Sequence, residues 1–84
     1  MTDEAVTKLQ EILRTTLDLP ADVDVTRVRQ LSLEAWDSLA HVTLMLALES
    51  EFGVTIDVAD QIRLTSYAAI QFYLDERGAG AGHD

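Results

Sequence analysis

The sequence predicts an all-α fold: a small four-helix bundle of three main helices and one short helix, with a long loop between the first two. Three observations carry this. Apolar residues recur at helical spacing in three segments, residues that start and stop helices bracket those segments, and no two strand-like stretches exist to pair into a sheet. A chain of 84 residues has room for one hydrophobic core and not two. One domain is expected over residues 1–77, with a disordered tail at 78–84.

The first helix is expected over Met1 to Leu19. Val6, Leu9, Ile12, Leu13 and Leu17 fall on one face. Asp3 and Glu4 lie in its first turn, where the helix dipole favours negative charge. Pro20 cannot continue a helix and restricts the residue before it, so the helix should end there. Residues 21–35 show no helical period. Val23, Val25, Val28, Leu31 and Leu33 alternate with turn formers such as Asp22, Asp24 and Thr26. This predicts an ordered loop whose aliphatic side chains plug the core. An isolated strand at Val23–Val25 or Val54–Ile56 is the alternative.

The second helix, Ser38 to Phe52, organises the rest. Asp37 stands where a side-chain oxygen can accept from an orphan N–H, Ser38 falls in the first turn, and Gly53 stands where helices often end in a left-handed residue. At about 100° per residue, Leu44, Met45, Leu48 and Phe52 gather on one side, the expected core face. Leu39, Val42 and Leu46 gather on another, which Ser38 and Glu49 share. One stripe suffices to dock a helix on a bundle, so the second needs a reason. Within residues 54–63 a short third helix is expected with Asp57 as its cap. Thr65 and Ser66 are cap formers for a last helix, Ser66 to Arg77, whose apolar side is Tyr67, Ala69, Ile70, Tyr73 and Leu74. Gly78 should stop it.

Net charge is −9, from 15 acidic and 6 basic residues. Nucleic-acid phosphates would repel such a surface, whereas partners with basic patches would be steered to it. There is no cysteine, hence no disulfide and no thiolate metal site. With no basic-apolar leader and no apolar run of membrane-spanning length, the expectation is a soluble cytoplasmic monomer that binds neither membrane nor nucleic acid.

Ser38 is the candidate reactive group. As an enzyme nucleophile it would need a base and an orienting group, for which His41 and Asp37 are the candidates. The sequence has no G-x-S-x-G elbow and no glycine near Ser38 to shape an oxyanion hole, so no catalytic residue is assigned. His83 lies in the tail, away from His41. Asp57 and Asp60 do not match a calcium loop, and no metal site is assigned. A serine in the first turn of a helix is instead exposed beside free N–H groups and the positive end of the dipole. That position suits modification by a phosphate-linked group, although first-turn serines are common as plain helix starters.

Asp37-Ser38-Leu39, followed by VTLMLALESEFGVTI, resembles the modification site and recognition helix of acyl carrier proteins. The resemblance extends over the whole domain. It implies a carrier domain without enzymatic activity, in which a phosphopantetheinyl transferase moves 4′-phosphopantetheine from coenzyme A to Ser38, flanked by Asp37 and Leu39. Acyl groups would then ride as thioesters on the arm's thiol, which is why the protein needs no cysteine of its own. It also implies a use for the second stripe. Leu39, Val42, Leu46 and Glu49 would meet acyl-loading and acyl-processing enzymes with basic surfaces, such as a ligase, an acyltransferase or a ketosynthase. Neighbouring loop and third-helix residues would cover part of the stripe, Val42 more than Leu39 or Leu46.

The chain departs from fatty-acid carriers in having Ala40, Thr43 and Ser50 where those often have acids, and Trp36 before the aspartate. WDSLAH resembles discrete carriers of specialised pathways, polyketide assembly among them. Trp36 is expected to pack across the loop end. An aminoacyl or peptidyl carrier, or an unmodified helical interaction module that docks through its second stripe, are the alternatives.

Overall fold

The computed structural model describes residues 1–78. Helix α1 runs Asp3–Thr16, α2 Ser38–Phe52, α3 Val58–Gln61 and α4 Tyr67–Glu76. Among the described residues there is no strand. A single antiparallel bridge joins Arg29 to Ser66, where Gln30 N–H donates to the Thr65 carbonyl at 2.8 Å and Tyr67 N–H to the Val28 carbonyl at 3.1 Å. Neither stretch considered as a strand forms one.

Helix α1 is shorter at both ends than the sequence suggests. Thr2 caps it, its Oγ1 accepting from the Ala5 N–H at 3.1 Å. It ends at Thr16 rather than Leu19 because Asp18 takes a left-handed φ of 53°, a conformation Asp tolerates better than most residues. Leu19 N–H then turns back onto the Arg14 carbonyl at 3.0 Å, as in a Schellman ending. The chain has therefore left the helix before Pro20. The Arg14 guanidinium fastens the exit, donating to the carbonyls of Pro20 at 3.1 Å and Val23 at 2.9 Å.

The loop contains two 3-10 turns, Val25–Arg27 and Gln30–Ser32. Asp24 Oδ1 starts the first, accepting from Thr26 N–H at 3.0 Å and Thr26 Oγ1 at 2.6 Å. These two bonds, to the hydroxyl and then to the amide, favour the charged carboxylate and hold it below the usual range. Val25 and Val28 are buried, and Val23 and Leu33 pack against the core. Leu31 does not join them. It stands fully in solvent, because the second 3-10 turn points its position outward.

One core unites the helices. Leu9, Leu13 and Leu17 from the first segment meet Leu44, Met45 and Leu48 of α2 and Tyr67, Ile70 and Leu74 of α4. Burying a leucine of this kind is worth about 1.5–3 kcal/mol. Val6 is only half-buried, and Ala5 takes the innermost place in its turn. Phe52 lies at the core's margin, with the Lys8 ammonium 5.3 Å from its ring centre. At α4 the Ser66 hydroxyl accepts from Ala69 N–H at 3.0 Å, so Ser66 is the cap and not the first helical residue. Arg77 likewise closes the helix from outside, and Gly78 follows at φ 69°. Apart from Gly78, the expected tail lies outside the described residues, as does His83.

Candidate functional site

Helix α2 begins as its sequence requires. Asp37 is the cap residue, and its carboxylate accepts from Ala40 N–H at 2.9 Å while its carbonyl accepts from His41 N–H at 2.9 Å. Ser38 is the first helical residue and is exposed. Among the described residues its hydroxyl has no hydrogen-bond partner. The N–H groups of Ser38 and Leu39 lie in the first turn, where no earlier helical carbonyl can reach them. A 15-residue helix stands behind them, with its dipole pointing positive toward Ser38. Gly53 ends α2 at φ 65°, ψ 34°, returning its N–H to the Glu49 carbonyl at 3.0 Å.

Both apolar stripes of α2 are present. Leu44, Met45 and Leu48 are sealed in the core. Leu39 is 76% exposed, Leu46 60% and Val42 53%. Val42 is the most covered of the three, as expected, yet the loop and α3 do not close over it. The stripe is therefore a free apolar face on the side of Ser38. Glu49 is placed differently from the free side chain a charge contact would suggest. Its Oε2 accepts from Ile56 N–H at 2.8 Å, which holds the segment leading to α3 against α2.

Helix α3 adds apolar surface that the sequence reading did not single out. Val58 and Ile62, four residues apart and joined by a backbone bond at 3.3 Å, are both largely exposed. Their spacing was the available signal, obscured by the brevity of the helix. Asp57 does precede α3, but its side chain makes no cap bond. Its carbonyl accepts from the N–H groups of Asp60 and Gln61, both at 2.9 Å.

Trp36 packs, as expected, and is 2% exposed. Its indole Nε1–H donates to His41 Nδ1 at 3.0 Å, with the two rings stacked at 29°. His41 Nε2 lies 2.7 Å from the Gln61 carbonyl. Both imidazole nitrogens are thus engaged, and Asp37 is committed to its cap. The base and orienting group that a serine hydrolase would need, His41 and Asp37, stand close in sequence but form no relay to Ser38.

A model of the phosphopantetheine attachment site matches residues 7–70, most of the chain. The chain belongs to the phosphopantetheine attachment site family. Over 63 residues, 75% of this chain, it is 36% identical to acyl carrier protein 2, chloroplastic, of Spinacia oleracea and 33% identical to acyl carrier protein 4, chloroplastic, of Arabidopsis thaliana. It is 37% identical over 54 residues, 64% of the chain, to acyl carrier protein 3, chloroplastic, of Cuphea lanceolata. It spans 48%, 46% and 38% of those proteins respectively. The prosthetic group of that family is a covalent 4′-phosphopantetheine. The residues fit that group: a phosphodiester needs an accessible hydroxyl, and Ser38 offers one with a positive helix end beneath it.

Proposed function

We propose that Ser38 carries the 4′-phosphopantetheine arm and that this domain ferries acyl groups between enzymes. The observation that carries the reading is the exposed, unbonded hydroxyl of Ser38 in the first turn of α2. In the loading reaction that oxygen gives up its proton and bonds to the phosphopantetheinyl phosphorus of coenzyme A, and the nucleotide part of the coenzyme leaves. Asp37 fixes the turn so that the hydroxyl meets the transferase in one orientation. The first-turn N–H groups favour the negative phosphodiester that results. Once attached, the arm supplies a terminal thiol on which acyl groups travel as thioesters.

The exposed residues Leu39, Val42 and Leu46 support docking on partner enzymes: the transferase and the enzymes that load and process the cargo. A charge of −9 favours partners with basic surfaces. Glu49 belongs to this face through its position, although one of its oxygens serves Ile56. We read the pathway as specialised, polyketide or related, from the WDSLAH start and the lack of acids at Ala40, Thr43 and Ser50. An acidic, cysteine-free monomer in the cytoplasm is the matching setting.

Incubation with coenzyme A, magnesium and a broad-specificity phosphopantetheinyl transferase should add the mass of one arm to the wild-type chain and none to Ser38→Ala. An unchanged wild-type mass, or a gain that survives the substitution, counts against the reading. The mass of the loaded species isolated from its host would distinguish an acyl from an aminoacyl cargo.

A further inference from the structure

Helix α3 is four residues long and none of its side chains is buried. So short a helix does not hold itself. Between the buried anchors Ile56 and Leu64, its placement depends on polar ties. Asp60 Oδ2 accepts from the Tyr73 phenol at 3.2 Å and lies 3.6 Å from the Arg77 guanidinium, which fastens α3 to α4. Gln61 Nε2 donates to the Ile56 carbonyl at 3.0 Å. The Gln61 carbonyl meets His41 Nε2 at 2.7 Å, which fastens α3 to the first turns of α2.

The tautomer of His41 follows from its other partner. An indole nitrogen only donates. Trp36 Nε1 therefore requires a bare, accepting Nδ1, and the imidazole proton sits on Nε2, where it donates to the Gln61 carbonyl. The ring is neutral, and it spans from the residue preceding Asp37 to the last residue of α3.

We propose that His41 is a positioning residue for Ser38: an imidazole latch that ties the loop end at Trp36, next to Asp37 and Ser38, to the last residue of α3. This rests on the Ser38 reading only for its consequence, since the latch exists with or without the arm. A proton on Nδ1 sets N–H against N–H, so the bond to Trp36 breaks while the bond to Gln61 survives. The charged groups on the elements around it are Glu34 and Asp37 beside Trp36, Asp57 just before α3, Asp60 on it and Arg63 just beyond. Asp37 is occupied by its cap bond and Asp60 by Tyr73 and Arg77.

The test uses the full chain. Trp36 is the sole tryptophan, so its fluorescence and indole N–H resonance report the latch directly. At mildly alkaline pH the nitrogen resonances of His41 should show a bare Nδ1 and a protonated Nε2. His41→Ala should shift the Trp36 N–H resonance and change its fluorescence, because the indole loses its acceptor. His41→Ala should also speed amide exchange at Ile62 and Arg63 about fivefold, the loss expected for one hydrogen bond. It should raise the transferase KM for the carrier and spare kcat. His41→Asn, which places an amide oxygen near Nδ1, should restore the indole signal without slowing exchange in α3. A proton on Nδ1 in the wild-type chain overturns the proposal, even should His41→Ala not fold. Unchanged exchange in a folded His41→Ala overturns it as well. Failure of arm loading in every variant, with these signatures intact, counts against the Ser38 reading and leaves the latch standing.

Discussion

The helix that bears the candidate site and the short helix tied to it through His41 are held by different physics. Helix α2 is anchored by Leu44, Met45 and Leu48, all sealed in the core, and is capped at both ends. Helix α3 buries nothing of its own and is held by hydrogen bonds from His41, Tyr73 and Gln61. Apolar burial is non-directional and large, so it fixes the helix that presents Ser38. Individual hydrogen bonds are worth about 1 kcal/mol net, so α3 is the more easily moved of the two. The serine stands on the fixed element, and the adjustable one is tied to that element through His41.

Breaking the fixed element should cost most. Leu48→Ala removes a fully buried side chain of α2 and should lower unfolding stability by about 2–5 kcal/mol, read from denaturant midpoints. Asp37→Ala leaves the Ala40 N–H without its partner and should cost about 1 kcal/mol. It should also slow arm transfer, because the first turn frays where Ser38 sits. Disturbing the adjustable element should cost less globally and act locally. Tyr73→Phe removes the tie to Asp60, and amide exchange in α3 should rise about severalfold while the core is preserved.

The same tie responds to alkali. Burial raises the Tyr73 phenol above its ordinary value, opposed by the Arg77 guanidinium 4.6 Å from its ring and assisted by Asp60. A raised group contributes stability that is complete below the unfolded-state value and is lost as pH climbs through the folded one. The α3–α4 contact should therefore be unaffected at neutral pH and loosen only in the alkaline range, as phenolate absorbance appears. Leu46→Ser should have the smallest effect on stability, within about 0.5 kcal/mol, because the side chain is already in solvent. Its effect should appear in partner binding, measured as a weaker association with the transferase.

The difference between the two helices also explains what the sequence disclosed. Asp37, Ser38 and Gly53 mark α2 by local chemistry, and Leu44, Met45 and Leu48 by their period, so its bounds and both of its faces were legible. The second stripe was legible as well from the helical spacing of Leu39, Val42 and Leu46, although its coverage by the loop and third helix was overestimated. Helix α3 was legible only as a short helix near an aspartate, because four residues carry no period. Its ties are long-range: Gln61 to His41 spans 20 positions, and no local pattern announces such a pair. Leu31 misled for a related reason. Alternation in a loop says nothing of direction once 3-10 turns intervene. The end of α1 was placed too late because Pro20 is conspicuous, whereas the left-handed Asp18 that stops the helix is not.

Mapping the arm on the loaded chain tests the central claim most directly. After treatment with coenzyme A and the transferase, fragment mass spectrometry should place the whole phosphopantetheinyl group on Ser38, with none on Ser32, Thr43 or Ser50. An arm on any other hydroxyl, or a folded chain that accepts none, would contradict the account.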